Sequence, residues 1–240
     1  MNTTKRREEL DLLRGFTLVN MIAYHACWDL CYLFGVSMPW YRSTGAFLWQ
    51  QYICWSFILL SGYCMHLGRH AVRRGLTVFG AGLLISAATY IFMPESSIFF
   101  GVLSLIGSAM LITAALRKLL EKVPAKLALP LCMLLFFMSY HASRGTLCFG
   151  TLTLPSGLYA NYFSACFGFP FAGFHSADYF PLLPWLFLFF AGFYLYSLFP
   201  KAMERPPHCA PLAWLGRHSL AVYLVHQPLI YGLLYLIFQL

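Results

Sequence analysis

Seven stretches of this 240-residue chain run for 17 or more residues without a charged side chain, and most of them end at Lys or Arg. A helix needs about 20 apolar residues to cross the roughly 30 Å hydrocarbon core of a bilayer. Runs of this length, repeated along one chain, leave little room for a soluble fold. Composition points the same way: 60% of the residues are hydrophobic and 10% are charged, against about 25% charged in ordinary globular domains. The runs are apolar on every side rather than alternating in segments of about ten residues, which excludes a transmembrane β-barrel. Disorder, collagen-like repeats and a small disulfide knot are excluded as well. The chain reads as all-α, a polytopic integral membrane helix bundle.

Charges and turn residues delimit seven predicted spans: Leu12 to Phe34, Gly45 to Leu67, Gly75 to Met93, Phe99 to Leu116, Leu127 to His141, Pro181 to Phe199 and Leu212 to Phe238. Lys and Arg gather on the cytoplasmic side of inserted helices. With the N-terminus inside, Lys5, Arg6, Arg7, Arg14, Arg69, Arg73, Arg74, Arg117, Lys118, Lys122, Lys126, Lys201, Arg205 and Arg217 fall inside. Only Arg42 and Arg144 fall outside, a split of 14 to 2. The expected location is the inner (plasma) membrane of the cell, with the N-terminus cytoplasmic and the C-terminus out. The net charge of +8 then reports topology rather than nucleic-acid binding.

The uncharged stretch 145–177 is long enough for an eighth span. Pro155, Gly157, Gly168, Pro170 and Gly173 suit an outer loop or re-entrant segment better. An extra crossing would also put Lys201, Arg205 and Arg217 outside, against the bias of the other loops. Residues 1–9 form a short leader without a cleavable signal, because Arg14 and Asp29 interrupt the apolar stretch and no small-residue site follows it. No internal repeat is evident, and residues 1–240 read as a single membrane domain. The eight cysteines include no C-x-x-C and no zinc-like spacing, so no metal is expected. Cys148 and Cys166, both in the expected outer loop, either pair in an oxidising compartment or stay two buried thiols.

The first span carries ionisable groups into lipid. Each Arg or Asp at the centre of a spanning helix costs about 2.5 to 3.5 kcal/mol on insertion scales, so such groups usually face the bundle interior and serve a pathway or a reaction. At about 1.5 Å per residue, His25 lies about 16 Å beyond Arg14 and Asp29 about 22 Å beyond it. Arg14 sits at the cytoplasmic edge on this reading, and His25 lies near mid-membrane. His25 and Asp29 are spaced i, i+4, which stacks them on one side of a helix. A carboxylate there can fix an imidazole tautomer and leave the other ring nitrogen free to take a proton. The alternative is a buried pair that ties helices together.

The last span supplies a second imidazole, His226, about 12 Å beyond His218. Pro228 has no N–H to offer the carbonyl of Leu224 and opens space beside His226 and Gln227. At the inner ends, spans one, three and seven begin beside Arg14, Arg73 with Arg74, and Arg217. Helix N-termini with adjacent guanidinium groups suit a phosphorylated ligand. Arg69 and the Arg117 to Lys126 group fit a purely topological role. Outside, Asp178 either complements a helix macrodipole or joins His175 and His141 in an acceptor site.

Taken in order, Asp11-x-x-Arg14-Gly15, Met21, His25, Asp29-Leu30, Phe57 to Ser61-Gly62, Gly101-Val102-Leu103, Asp178-Tyr-Phe-Pro-Leu-Leu-Pro-Trp185, Gly216-Arg-His-Ser-Leu220 and His226-Gln-Pro228 carry a resemblance. They resemble the bacterial members of the heparan-alpha-glucosaminide N-acetyltransferase catalytic-domain family, over nearly the whole chain. The resemblance implies a membrane acyltransferase that takes an acyl group from cytoplasmic acyl-CoA, acetyl-CoA first among them. The acceptor is then a sugar or another hydroxyl or amine compound on the outer side.

On this reading His25, Asp29 and His226 are catalytic. His25 serves as general base or transient acyl carrier, Asp29 orients it, and His226 or Gln227 stabilises the oxyanion. Arg14, Arg73, Arg74, Arg217, His218 and Ser219 hold the CoA, while Asp178, His175 and Gln227 bind the acceptor. The implied partners are the lipid bilayer, acyl-CoA and a sugar or glycan-type acceptor, with no nucleic acid, and self-association stays open. Because the chain is shorter than the eukaryotic protein, a heparan-type substrate is not carried over. Two other functions compete: a small proton-coupled transporter relaying protons through His25, Asp29 and His226, and a non-catalytic envelope scaffold.

Overall fold

Backbone N–H and C=O groups find no partner in lipid except one another, so an uncharged stretch that crosses the bilayer is driven to become a helix. The computed structural model describes residues 7–200 and 209–239 and bears this out. Its helices are α1 (Glu8–Tyr32), α2 (Thr44–Tyr63), α3 (Ala71–Phe92), α4 (Val102–Leu120), α5 (Ala125–Ser139), α6 (Tyr162–Phe167), α7 (Leu182–Leu198), α8 (Ala210–Arg217) and α9 (Ser219–Gln239). Among the described residues, four helices are long and apolar enough to cross a membrane: Ala71–Phe92, Val102–Leu120, Ala125–Arg144 and Ser219–Phe238. The apolar α7 is shorter, and α1 and α2 are diluted by polar residues such as Asp11, Asp29, Gln50 and Gln51. Lys5, Arg6, Lys201 and Arg205, used above for orientation, lie outside the described residues.

The last predicted span needs correction. Leu212 to Phe238 is not one helix, because α8 ends at Arg217 and α9 starts at Ser219, with His218 as the corner between them. Against α1, the turns of α8 run in the opposite order, Asp11 beside Gly216 and Gly15 beside Leu212. Those of α9 run in the same order, with His25 beside His226 and Phe34 beside Tyr231 and Phe238. The membrane-length helix is therefore α9 alone.

The chain forms two compact units. The first takes residues 1–60 and 201–240, and the second residues 61–200. In the first, α1 packs on both α8 and α9. Two glycines permit this: a Cβ on Gly15 would run into the Leu212 carbonyl, and one on Gly216 into the Asp11 carbonyl. Small residues at such crossings matter in lipid, where the hydrophobic effect does not drive helices together and close backbone packing must. Leu18, Met21 and Ile53 form the buried core beyond this crossing, flanked by Trp49, Val222 and Tyr223.

In the second unit α3 pairs with α4, and α5 and α4 both pack on α7. The α3–α4 contact repeats the same device. Gly82 meets the backbone of Ser104, and Gly107 meets that of Phe79. The outward side of α3 exposes Leu76, Leu83, Leu84, Ile91 and Phe92, as a lipid-facing helix does. The stretch 145–177 contains a two-residue hairpin, β1 (Thr146–Leu147) with β2 (Leu152–Thr153), and the six-residue α6. Six residues rise only about 9 Å, so this stretch has the form of a loop, as expected from its prolines and glycines. Cys148 and Cys166 are both free thiols.

Candidate functional site

The first unit brings the two deep imidazoles together. The His25 ring on α1 and the His226 ring on α9 lie edge to face, with centroids 4.9 Å apart. One turn further along α1, Asp29 is completely buried. Its Oδ1 accepts a 2.6 Å hydrogen bond from Nε2 of Gln227. Four helical positions expected from the sequence to matter, His25, Asp29, His226 and Gln227, thus gather in one cluster.

The internal wiring differs from the expectation in two ways. The carboxylate of Asp29 goes to Gln227 on the neighbouring helix, and among the described residues no hydrogen bond or ion pair joins it to the His25 imidazole. Spacing of i, i+4 puts two residues on the same side of a helix, but the rotation of the partner helix decides what each side chain meets. The second difference concerns the proton on His226. Its Nδ1 lies against the backbone carbonyl of Tyr223. A carbonyl only accepts, so Nδ1 carries the hydrogen, and in the neutral ring Nε2 is left with a lone pair. A ring in that state cannot donate to an oxyanion, and the oxyanion role expected of His226 is withdrawn.

Three buried atoms of this cluster have no hydrogen-bond partner: Asp29 Oδ2, His226 Nε2 and Gln227 Oε1. Each is an acceptor. The amide orientation follows from Nε2 being the atom that donates to Asp29, which turns Oε1 away as the free end. Buried polar groups left unpaired cost about 1 to 3 kcal/mol each, and such clusters in native proteins call for an explanation in function or bound solvent.

The basic residues fall into separate groups. In the first unit, Arg14 sits in the second turn of α1 rather than at its start, behind Glu8, Glu9 and Asp11, and its guanidinium reaches Asp11 at 3.4 Å. Its placement at a helix N-terminus is therefore corrected. Arg217 ends α8 and is exposed, and Ser219 opens α9. The His218 ring lies tilted against Trp214, centroids 4.5 Å apart, with Nδ1 2.9 Å from the Trp214 carbonyl.

In the second unit, Arg73 and Arg74 lie in the first turn of α3. Arg73 lines a depression of about 610 Å³ together with His70, Val72, Leu76, Ala114 and Arg117. Arg117 was assigned above to topology alone. The signal that could have found it is the antiparallel α3–α4 hairpin, which returns the end of α4 to the start of α3.

The outer residues also separate. Asp178 Oδ2 accepts from the Val102 N–H at 3.1 Å, at the first residue of α4. Gly101 leaves room for that carboxylate, since a Cβ there would come within 2.9 Å of Oδ2. Ser176 Oγ ties the same corner by accepting from the Phe99 N–H and donating to the Phe99 carbonyl. Burial pushes the Asp178 carboxyl up to about 6, and the Val102 N–H offsets this only in part. The motif around Asp178 is thus engaged in holding a loop to α4. His175 is exposed, and among the described residues no group of three or more His, Cys, Asp or Glu side chains converges.

A largely helical membrane-type chain with a pair of facing imidazoles and buried unpaired acceptors belongs to the class of polytopic membrane proteins that carry a polar site among their helices. Residues 6–228 match the family model described as heparan-alpha-glucosaminide N-acetyltransferase, catalytic, and the chain belongs to that family. Membership brings with it transferase activity of the membrane acetyltransferase kind. No curated protein and no solved structure matches the chain.

Proposed function

We propose that this protein transfers an acyl group, acetyl foremost, from acyl-CoA to a hydroxyl or amine acceptor, at a site built from His25, Asp29, His226 and Gln227. One observation carries the reading: the Tyr223 carbonyl holds His226 in the tautomer whose Nε2 lone pair is buried and unpartnered. That is the state required of a general base. Nε2 takes the proton from the acceptor O–H or N–H as the oxygen or nitrogen attacks the thioester carbonyl. The C–S bond then breaks, and the proton passes to the departing thiolate. His25, edge-on beside the base, is the imidazole left to stabilise the tetrahedral oxyanion. The two histidines thereby exchange the roles that spacing alone suggested.

The donor's phosphates fit basic inner ends. The first unit offers Arg14, Arg217, His218 and Ser219, and the second unit, taken by itself, offers Arg73, Arg74 and Arg117 on the α3–α4 hairpin. The orientation that suits this, N-terminus in and C-terminus out across a cell's inner membrane with α1, α2 and α7 also spanning, rests on the 14 to 2 distribution of basic residues. The acceptor, a sugar or another polyol or amine, then arrives from the outer side.

The test is transfer of labelled acetyl from acetyl-CoA by the purified full-length protein in lipid nanodiscs, with a mixture of amino sugars and polyols as acceptors. Labelled acceptor or labelled protein that disappears in His226→Ala supports the proposal. If neither forms and CoA does not bind, the transferase mechanism drawn here is wrong.

A further inference from the structure

In the second unit, the short helix α6 has the polarity opposite to that of a loop in water. Its polar groups are spent on the protein's own backbone. The Asn161 side chain accepts from the Ser164 N–H at 3.1 Å, the Ser164 hydroxyl lies 2.9 Å from the Phe169 carbonyl, and the Tyr179 hydroxyl donates to the Ala165 carbonyl at 2.6 Å. Ala165 is completely buried, and a Cβ on Gly168, just past the helix, would come within 2.7 Å of the Leu183 carbonyl oxygen. The other side carries Phe163 and Phe167, 74% and 39% exposed, with ring centroids 5.1 Å apart. Their i, i+4 spacing puts both rings on one face, each about 160° around the helix from Ala165.

Exposed apolar faces of this kind mark contact with another protein or with a membrane. Two observations select lipid. The stretch 145–177 contributes no charged side chain to any surface around α6. The face also continues one that already meets lipid, the outward side of α3. At the end of that helix Tyr90, Ile91 and Phe92 are exposed, the Tyr90 ring meets Phe99 at 6.0 Å, and Phe99 meets Tyr162 of α6 at 5.7 Å. A row of aromatic rings thus leads from the lipid-facing helix to α6, in the manner of the aromatic belts at membrane–water interfaces.

We propose that α6 is a membrane-surface element, lying in the lipid interface at the end of the second unit where α3 ends and α4 begins, with Phe163 and Phe167 inserted below the headgroups. The proposal is independent of the acyl-transfer reading. Interfacial helices sink their apolar face about 5 to 10 Å into the boundary between headgroups and acyl chains. Side chains reach that depth while the backbone stays at headgroup level. This suits the irregular segments on either side of α6, whose backbone groups hydrocarbon could not satisfy.

The test places a trifluoromethyl group on the ring of Phe163, and in a second sample on that of Phe167, by site-specific incorporation of para-trifluoromethylphenylalanine into the full chain. Both positions are exposed enough to take the added group without disturbing the core. In lipid nanodiscs the fluorine signal is recorded with a phosphatidylcholine spin-labelled near the top of its acyl chain, and separately with a gadolinium chelate in the water. The expected result at both positions is loss of the signal with the labelled lipid and its retention with the chelate. Signal lost with the chelate at either position, whether or not the lipid also erases it, puts the ring in water and overturns the assignment. A signal untouched by both agents at either position means that protein, a second copy included, covers the face, and this overturns it equally. Neither readout depends on acetyl transfer, so the surface stands or falls apart from the proposed reaction.

Discussion

Replacing Asp178 with Asn isolates the loop-to-helix tie from every other titrating group. The carboxyl is held near pH 6 by burial, against an ordinary 3.8, and among the described residues no ion pair offsets it. The folded-state value is raised, so the folded protein binds a proton that the unfolded chain releases between about pH 4 and 6. Stability from this group is complete below pH 4 and is lost as the pH rises through 6. Two pKa units correspond to a ceiling of about 3 kcal/mol, reduced in practice because the residue is partly exposed. For a chain of this size a full 3 kcal/mol is roughly 6 to 12 °C in Tm.

The assay is thermal unfolding in detergent, followed by intrinsic fluorescence, at intervals from pH 4 to 7.5 for the wild type, Asp178→Asn and Asp178→Ala. The difference between wild type and Asp178→Asn cancels all other titrations. It should grow as the pH rises, with Asn the more stable partner at pH 7. Asp178→Ala, which also loses the acceptor for the Val102 N–H, should fall below Asn by about 1 kcal/mol at every pH. A wild-type to Asn difference that is flat with pH, or an Ala variant as stable as Asn, refutes the reasoning.

Three further outcomes are expected. Gly15→Val or Gly216→Val forces side-chain atoms into a neighbouring carbonyl and should cost at least about 1 to 3 kcal/mol, read as a lower Tm or loss of monodisperse protein on size exclusion. His226→Ala should lower kcat by about 10² to 10⁴ with KM for acetyl-CoA little changed; a change confined to KM contradicts its place as the base. Arg73→Ala and Arg117→Ala should each raise KM for acetyl-CoA about tenfold, the scale of one charged hydrogen bond. The defect should diminish at high salt, because screening weakens the wild-type contact; an unchanged KM removes the α3–α4 depression from the donor site.

The helices were legible because lipid enforces them: a run such as 127–143 or 179–200 has no other way to satisfy its backbone. The corner at His218 was not. Neither Pro nor Gly stands at the break itself, and Gly216 looks like an ordinary glycine until its backbone is seen against Asp11. Depth along a helix follows from residue count, and the rings of His25 and His226 do lie side by side. Rotation does not follow from it, and so the partner of Asp29 proved to be Gln227, 198 residues away in sequence, rather than His25 four residues back. The place of Arg117 at the α3–α4 depression was hidden for a similar reason, since a basic residue at a helix end looks the same whether it enforces topology or faces a cavity. The Tyr223 carbonyl that sets the tautomer of His226 leaves no trace in residue identity, because any residue at that position supplies a carbonyl.

The glycine crossing of α1 and α8 fixes how far along its axis α1 can sit. With no side chain interposed at Gly15 or Gly216, neither helix can slide by a turn without collision. Gly15 and His25 lie on one unbroken helix, so an insertion or deletion of one residue between them would swing the His25 imidazole by about 100°, out of facing position. That interval acts as a ruler, and its length is far less tolerant of change than its composition.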